Sequence, residues 1–475
     1  MNRFPPYASY KSIGLPWLTT IPSHWGIRRG KYLFNCIDIR SATGEEELLT
    51  VSSERGIIPR KSANVTMFKA ESYVGYKLCW PGDLVINSLW AWARGLGVSN
   101  YHGIISSAYG VYRLKPEFQD YSRFIHKLVR SVPFQWELQV RSKGIWISRL
   151  QLTDESFLEI PFPFPPPQEQ TAIVRYLNYM DRRINRYIKA KKKLIGLLNE
   201  QKQAIIHKLV ALGLDPNVRL KPSGIEWLGD IPEHWELISL RYLSTRFGSG
   251  VTPRGGATIY QSVGVPFLRS QNIHFDGLRL NNVVLIPRDL HEQLQATHVH
   301  PGDVLLNITG ASIGRVCHVP NSFTEGNVNQ HVCIIRPRVK RVLPEFLAAF
   351  MSIPSIQQEI NIEQNGASRQ GLALDAIKAL KILLPSLEEQ QNILNEIPKH
   401  LHPLNDAIKC AENDISLLSE YHSRLIADVV TGKIDVSEIA TNLPDEMEED
   451  ELVPINDDDE TEEQDLLADE PTELS

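Results

Sequence analysis

Apolar residues recur at alternating spacings of four and three from residue 173 onward, the pattern of a helix that packs along one stripe. The stripe consists of Ile173, Leu177, Met180, Ile184, Tyr187, Leu194, Leu198 and Ile205, with Lys191 and Gln201 in two polar core positions. Prolines precede Gln168, and Gly213 and Pro216 follow the stripe. We therefore predict one helix of roughly 45 residues, about 65 Å long.

A second stripe lies near the end of the chain and contains Ile393, Ile397, Leu401, Leu404, Ile408, Ala411, Ile415, Leu418, Leu425 and Val429. Pro398 and Pro403 fall inside it and predict that its first turns are kinked or separate. The first helix is rich in Lys and Arg and the second in Asp and Glu, which favours pairing between them. The alternative is two solvent-exposed helix faces that never meet.

The stretches outside the two helices are rich in Gly, Pro, β-branched and aromatic residues, a composition typical of strands and turns. Four segments predict short buried strands: Asp83–Ile86, Gly110–Leu114, Asp303–Leu306 and His331–Ile335. The Pro-Gly-Asp that precedes two of these strands predicts a tight turn and nothing more. Together the patterns predict an α+β fold.

The chain also repeats itself. One set of residues recurs at an offset of 210: Trp17-Leu18, Ile21-Pro22 and His24-Trp25 match Trp227-Leu228, Ile231-Pro232 and His234-Trp235. A second set recurs at an offset of 220: Pro81-Gly82-Asp83, Arg149 and Glu169-Gln170 match Pro301-Gly302-Asp303, Arg369 and Glu389-Gln390. Between these landmarks the two copies differ. The repeat predicts one scaffold with two specificities, with drift after duplication as the alternative.

The distribution of charge along the chain bears on the kind of partner that it binds. The net charge is −6, but residues 445–475 contain 16 Asp and Glu and no Lys or Arg, so the rest of the chain carries +10. A basic body favours nucleic acid over an ordinary surface only weakly. The tail composition predicts disorder.

The five scattered cysteines predict reduced thiols, and with no long apolar run we expect a cytoplasmic protein without a membrane segment.

The sequence contains none of the catalytic motifs that we sought. There is no G-x-x-x-x-G-K-[ST] loop and no H-E-x-x-H pair. Phe4-Pro5-Pro6-Tyr7 is similar to the Asn/Asp-Pro-Pro-Tyr motif of amino-methyltransferases, but Phe4 has no side-chain oxygen to accept a hydrogen bond from the target amine. We therefore expect a chain that is not an enzyme, with no metal site or catalytic residue.

The order of these motifs resembles the specificity subunits of type I restriction-modification systems. The resemblance rests on the two leaders Trp17–Trp25 and Trp227–Trp235, the helix starts Pro166–Gln170 and Leu387–Gln391, the helix end Val430–Ile434, and the segments Gly250–Pro253, Pro266–Arg269 and Thr309–Arg315. It covers nearly everything up to about residue 435 and does not include the acidic tail.

The resemblance implies two β-rich target-recognition domains in tandem, each followed by a long helix, with the helices paired as an antiparallel coiled coil. The boundaries that we predict are 1–165 for the first domain, 166–213 for the first helix, 214–385 for the second domain, 386–435 for the second helix and 436–475 for the tail. Each domain is expected to read one half of a split site in double-stranded DNA. Expected partners are two methyltransferase subunits and restriction/translocase subunits, and these would hold S-adenosylmethionine, ATP and magnesium.

We expect DNA contacts from loop residues that donate or accept hydrogen bonds. The candidates in the first copy are Arg60, Lys61, Asn87, Trp92, Arg94, Ser106, Tyr109, Lys143 and Arg149. Those in the second copy are Thr252, Arg254, Arg269, Gln271, Asn272, Thr309, Ser312, Arg315, Asn329, Gln330, Arg369 and Gln370. Two other functions remain open: the recognition subunit of a type IIB enzyme, which shares the duplicated plan, and a coiled-coil scaffold that binds only protein.

Overall fold

A computed structural model of the chain describes residues 5–63, 72–144, 150–225, 228–253, 255–365 and 371–444. Helices and strands both contribute extensively in these ranges, so the α+β prediction is confirmed. The chain forms two compact units, and each takes part of both long helices. The first unit runs up to Lys192 and resumes at Glu412, and the second runs from Lys193 to Ala411. The predicted acidic tail lies outside the described residues.

The first unit contains the leader and the first β-rich copy. Its strands are β1 (Tyr10–Leu15), β2 (Leu18–Pro22), β3 (Gly26–Arg29), β4 (Phe34–Cys36), β5 (Leu49–Ser52), β6 (Gly56–Pro59), β7 (Lys77–Cys79), β8 (Leu84–Asn87), β9 (Leu96–Val98), β10 (Gly103–Ile105), β11 (Tyr109–Leu114) and β12 (Pro161–Phe164). Its short helices are α1 (Gly30–Leu33), α2 (Ser122–Val129), α3 (Val132–Arg141) and α4 (Asp154–Leu158). The long helix α5 (Pro167–Leu212) follows.

A four-stranded antiparallel sheet in the order β4-β11-β8-β9 forms the centre of the first copy. Successive residues of a strand point to opposite faces of a sheet. Leu84 and Ile86 accordingly belong to the large core with α2 and α3, whereas Val85 belongs to a smaller core with β5, β6 and β10. The short continuous apolar run of this strand is therefore explained by burial on both faces.

The second unit contains the second copy and follows the same plan. Its strands are β13 (Leu220–Pro222), β14 (Asp230–Pro232), β15 (Glu236–Ser239), β16 (Ser244–Ser249), β17 (Val265–Leu268), β18 (Ile273–His274), β19 (Gly277–Leu278), β20 (Val284–Ile286), β21 (Val304–Asn307), β22 (Val316–His318), β23 (Asn327–Val328), β24 (Val332–Pro337) and β25 (Lys381–Leu384). Its helices are α6 (Leu240–Leu243), α7 (Arg288–Gln293), α8 (Pro344–Met351), α9 (Pro354–Asn365) and α10 (Leu374–Ala379), followed by α11 (Leu387–Val430); α12 (Ser437–Thr441) belongs to the first unit.

The central sheet of the second copy has the corresponding order β16-β24-β21-β22, and all its pairs are antiparallel. Val304 and Leu306 lie in the large core, and Leu305 lies in a smaller core on the opposite face. The four strands predicted from short apolar runs are thus present as β8, β11, β21 and β24. Both copies therefore build the same buried sheet.

The first long helix, predicted at roughly 45 residues, has 46. The second, α11, is one helix of 44 residues that includes Pro398 and Pro403, so its first turns are not a separate element, and a kink there stays a prediction. Each proline removes one hydrogen bond of the helix and crowds the carbonyl four residues earlier, but the hydrogen bonds farther along the helix can still form. Packing of α11 at both ends also favours the continuous helix, because Ile393 and Val429 are buried in the two large cores.

The predicted apolar stripe is buried mainly toward the ends of α5. Ile173 and Leu177 enter the first core, whereas Tyr187 and Leu194 are 53% and 41% exposed. Within the first unit α5 meets the far end of α11, where Asp181 contacts His422 at 2.5 Å and Lys191 pairs with Asp414 at 2.9 Å. A higher number in one helix faces a lower number in the other, so these segments are antiparallel.

The repeated leader residues join the start of each long helix. His24 contacts one oxygen of Glu169 at 2.5 Å, and the indole N–H of Trp25 donates to the other at 2.8 Å. In the second unit, His234 and Trp235 contact Glu389 at 2.7 and 3.3 Å. The two histidines therefore hold a carboxylate at the start of each long helix.

The far end of the other helix completes each leader. Gly432, just after α11, has φ +74, and a Cβ there would lie 2.4 Å from Cδ of Pro22. Gly213, just after α5, packs in the same way against Trp235. The positive φ and the close contact both require glycine at the end of α11.

Candidate nucleic-acid interface

A loop at one end of each central sheet is held by the same backbone hydrogen bonds. In the β8–β9 loop (Ser88–Gly95), the N–H of Asn87 donates to Gly95 at 2.8 Å. In the β21–β22 loop (Ile308–Arg315), the N–H of Asn307 donates to Arg315 at 2.9 Å. The positions differ by 220 residues, as in the sequence repeat. The two copies therefore present their loops on one shared frame.

A second pair of repeated hydrogen bonds attaches a distant segment to each loop. The N–H of Leu152 donates to the carbonyl of Ser88 at 2.9 Å, and that of Leu372 donates to Ile308 at 2.8 Å. The exposed candidate Lys143 lies beside the first of these contacts, because its backbone pairs with Gln151. The frame thus brings a segment from more than 50 residues away to each sheet end.

Three candidates of the first copy meet at this sheet end. The side-chain amide of Asn87 donates to the Tyr109 hydroxyl at 3.3 Å, and its oxygen accepts from the N–H of Leu89 at 3.2 Å. The Ser106 hydroxyl accepts from the N–H of Ala108 at 3.3 Å in the turn before β11. Burial raises the pKa of Tyr109. Asn87 and Tyr109 therefore stabilise the loop as well as lying beside the predicted interface.

The other candidates of the first copy flank this cluster. Arg60 lies in the turn after β6, where its positive charge acts on Tyr109. Lys61 is 78% exposed and pairs with Glu47 at 2.6 Å. The indole of Trp92 donates to the carbonyl of Leu89 at 3.0 Å, and Arg94 closes the loop with φ +61. The charged and aromatic groups therefore lie in neighbouring loops of one copy.

In the second copy, Thr309 is linked to the turn before β24. The Gln330 amide donates to Nε2 of His331 at 2.8 Å, which leaves Nδ1 of His331 protonated toward the Thr309 hydroxyl. Asn329 accepts from the N–H of His331 at 3.1 Å. The Ser312 hydroxyl accepts from Asn307 at 3.0 Å. His331 thus connects three predicted contact residues, although the sequence analysis did not select it.

The loop after β17 carries three further candidates. Asn272 is buried, accepts from the N–H of Arg269 at 2.9 Å and donates to the carbonyl of Arg279 at 2.9 Å. The Arg269 guanidinium lies 5.7 Å from the ring centroid of Tyr260. Gln271 is exposed at the surface of this loop. Asn272 therefore shapes the loop that presents its two neighbours.

The remaining candidates are distributed as follows. Thr252 is exposed after β16, and Arg315 is half-buried at the end of the β21–β22 loop. Arg149, Arg254, Arg369 and Gln370 lie outside the described residues. The placement of all candidates as DNA contacts stays a prediction.

Sequence analysis missed Arg130, which positions the end of the β8–β9 loop through hydrogen bonds to its carbonyls. Its guanidinium donates to the carbonyls of Leu96 at 2.7 Å, Ser53 at 2.7 Å and Glu54 at 2.5 Å, and at longer range to that of Arg94 at 3.4 Å. Burial, with a further contribution from the charge of Arg94, lowers the pKa of Arg130 to about 10. An arginine at the C-terminal end of a short amphipathic helix gives no local signal of such contacts.

The Pro-Gly-Asp turns do more than the sequence analysis predicted. Asp83 is 1% exposed and forms two hydrogen bonds to Arg113, at 2.7 and 2.8 Å. Asp303 forms the same pair with Arg336, also at 2.7 and 2.8 Å. The turn aspartates therefore join β8 to β11 and β21 to β24. The expectation that these motifs form a turn and nothing more is corrected.

Comparison with known proteins finds similarity to one family. The family model for the type I restriction modification DNA specificity domain matches residues 232–413. A relative provisionally named the MjaX type I restriction enzyme specificity subunit of Methanocaldococcus jannaschii is 25% identical over 61% of this chain and 63% of its own length. The MjaVIII specificity subunit from the same organism is 23% identical over 71% of this chain and 76% of its own length. The chain is therefore similar to type I specificity subunits in the matched region and across most of its length.

A solved structure concerned with complex assembly and conformational transition of the type I R-M system has the same fold as this chain. It covers 87% of this chain and 99% of the other, with a TM-score of 0.60 and 15% identity. The match to the first relative spans just under two thirds of that protein.

In the described part of the chain, no group of three or more His, Cys, Asp or Glu residues is arranged to hold a metal ion. No helix there combines the length and the apolar composition that a membrane span requires.

Proposed function

We propose that this chain reads a bipartite DNA sequence for a type I restriction-modification enzyme, with one half-site bound by each copy. One observation carries the proposal: the β8–β9 and β21–β22 loops share a backbone frame but differ in side chains. A common frame with different tips is what two readers of different sequences require. The candidate side chains supply donors and acceptors suited to base edges and phosphates.

We also propose that the two copies act as tandem target-recognition domains, with α5 and α11 pairing as an antiparallel coiled coil. The Lys191–Asp414 and Asp181–His422 contacts support this pairing. The repeated leaders support two equivalent docking sites, and therefore two methyltransferase subunits. Restriction/translocase subunits would complete the enzyme. S-adenosylmethionine, ATP and magnesium would bind to those partners, while this chain supplies recognition without catalysis.

A domain exchange tests the function directly. Residues 26–160 are replaced by the corresponding segment of a related specificity subunit, and the methylated motif is determined by sequencing DNA from a host that expresses the methyltransferase. We expect one block of the motif to change and the other to stay the same. The matched control exchanges residues 236–380 and should change only the other block. Alteration of both blocks by a single exchange would exclude the two-reader function.

A further inference from the structure

The tip of the β8–β9 loop is apolar. Trp90 is 54% exposed and Leu89 is 46% exposed. The ring of Trp90 lies nearly parallel to that of Trp92, with centroids 6.4 Å apart and an interplanar angle of 22°. Single exposed apolar residues are common on protein surfaces, but adjacent large ones form a patch that marks an interaction site.

The loop is held in a defined conformation. The Trp90 carbonyl accepts from Ala93 at 3.0 Å and Gly95 at 2.9 Å, and the carbonyl of Trp92 accepts from Gln135 at 2.9 Å. Arg130 adds hydrogen bonds to the end of the loop. A preorganised loop loses little conformational entropy when it binds. The apolar groups are therefore presented by the fold.

The surroundings of the tip favour DNA as the occupant. Asn87 immediately precedes the loop and contacts Tyr109, while Arg94 ends its apolar segment. Lys143 is exposed beside the segment that binds Ser88. Positive charge around an apolar centre is complementary to a polyanion with apolar bases. The tip is also continuous with the proposed DNA interface.

The second copy provides a natural comparison. At an offset of 220 residues, Leu89, Trp90 and Trp92 correspond to Thr309, Gly310 and Ser312. The two loops have the same closing hydrogen bond, so the backbone frame is shared. The side chains at the tip are large and apolar in the first copy and small or polar in the second. A general structural need for tryptophan in this loop would have applied to both copies.

We propose that Leu89 and Trp90 read the first half-site through direct apolar contact with its bases, whereas the second copy uses polar groups at the same position. This proposal rests on the proposed DNA-reading function. The ligand surface would be a thymine methyl group or the face of a base at a distorted step. Such a contact contributes sequence preference without neutralising a phosphate.

The test compares Trp90→Ala with the unchanged full-length chain, each co-purified with its methyltransferase. Affinity is measured on a duplex with the complete site identified by methylome sequencing, and on duplexes with either half scrambled. We expect Trp90→Ala to bind the complete site on the order of tenfold more weakly, and Trp90→Phe to recover most of this loss. The dependence of affinity on salt should keep its slope, because no phosphate contact is lost.

Tyr32→Ala is the matched control. Tyr32 is 57% exposed and precedes β4, whose Phe34 pairs with Leu114 at the opposite end of β11 from Tyr109. Its loss should leave the affinity for DNA unchanged. The control therefore separates a contact at the loop tip from the general loss of an exposed aromatic ring.

Three results would overturn the inference. The first is unchanged affinity of Trp90→Ala for the complete site while scrambling the first half still weakens binding, which leaves the proposed function intact. The second is an equal loss on all duplexes with a shallower salt slope, which would indicate a backbone contact. The third is failure to co-purify, which would assign the tip to a protein interface. Insensitivity of the unchanged chain to scrambling of either half would instead refute the proposed function.

Discussion

At the scale of single residues, the repeat is most informative where it preserves buried charge. Asp83 and Asp303 are each 1% exposed, and each binds an arginine on the neighbouring strand through two hydrogen bonds. Burial of a carboxylate is unfavourable unless it is paired. The pairs therefore fix the register of the central strands next to the loops that carry the proposed contacts.

We expect Asp83→Asn to lower the free energy of unfolding by about 3 kcal/mol, because it leaves the Arg113 charge without its partner. Asp303→Asn should have a similar effect through Arg336. Urea unfolding followed by tryptophan fluorescence measures the change. The control is Asp38→Asn, because Asp38 is 60% exposed and pairs with Arg40 at the surface. The effect of Asp38→Asn on the free energy of unfolding should stay below about 0.5 kcal/mol. If Asp83→Asn lowered that free energy no more than Asp38→Asn does, the buried pair would have no stabilising role.

At the scale of elements, each long helix begins with a glutamate held by the leader. Burial acts to raise the pKa of Glu389, but hydrogen bonds from His234, Ser386 and Trp235 outweigh it and lower the pKa to about 2. Because this value is below that of the unfolded chain, the glutamate stabilises the fold fully above about pH 5. The stabilisation is lost as the pH falls toward 2.

The pH dependence of unfolding therefore tests the attachment of α11. Glu389→Gln should lower stability at neutral pH and reduce the loss of stability between about pH 5 and pH 2. Glu388→Gln changes the exposed neighbouring residue and should leave the profile unchanged. Thermal unfolding across this pH range gives both profiles. Identical curves for the two variants would show that the leader contact does not stabilise the helix.

At the scale of the whole molecule, the charge is divided between a basic body and the acidic residues 445–475. Deletion of these residues changes the net charge from −6 to +10, so we expect stronger binding to random-sequence duplex, most of all at low salt. Affinities at about 50 and about 200 mM salt measure the effect. A tail of equal length with Asn and Gln in place of its Asp and Glu serves as the control. Unchanged affinity at both concentrations would remove any screening role.

The sequence by itself determined the elements whose signals are local. Periodicity and flanking Pro and Gly located α5 to within a few residues, and short apolar runs located β8, β11, β21 and β24. Duplicated landmarks revealed the internal repeat and the resemblance to type I specificity subunits. The alternative of separate first turns in α11 was wrong, because proline propensity is a local signal that tertiary packing overrides.

Only the tertiary structure decided which distant residues meet. The contacts of His24 with Glu169 and of Asp83 with Arg113 join positions 145 and 30 residues apart. The same is true of the carbonyls around Arg130 and of the exposed tip at Trp90. A local pattern records which face of an element is apolar, but not its partner. The partner depends on how sheets and helices pack. The central sheets of the two copies pair in the same order, but the side chains on their β8–β9 and β21–β22 loops differ.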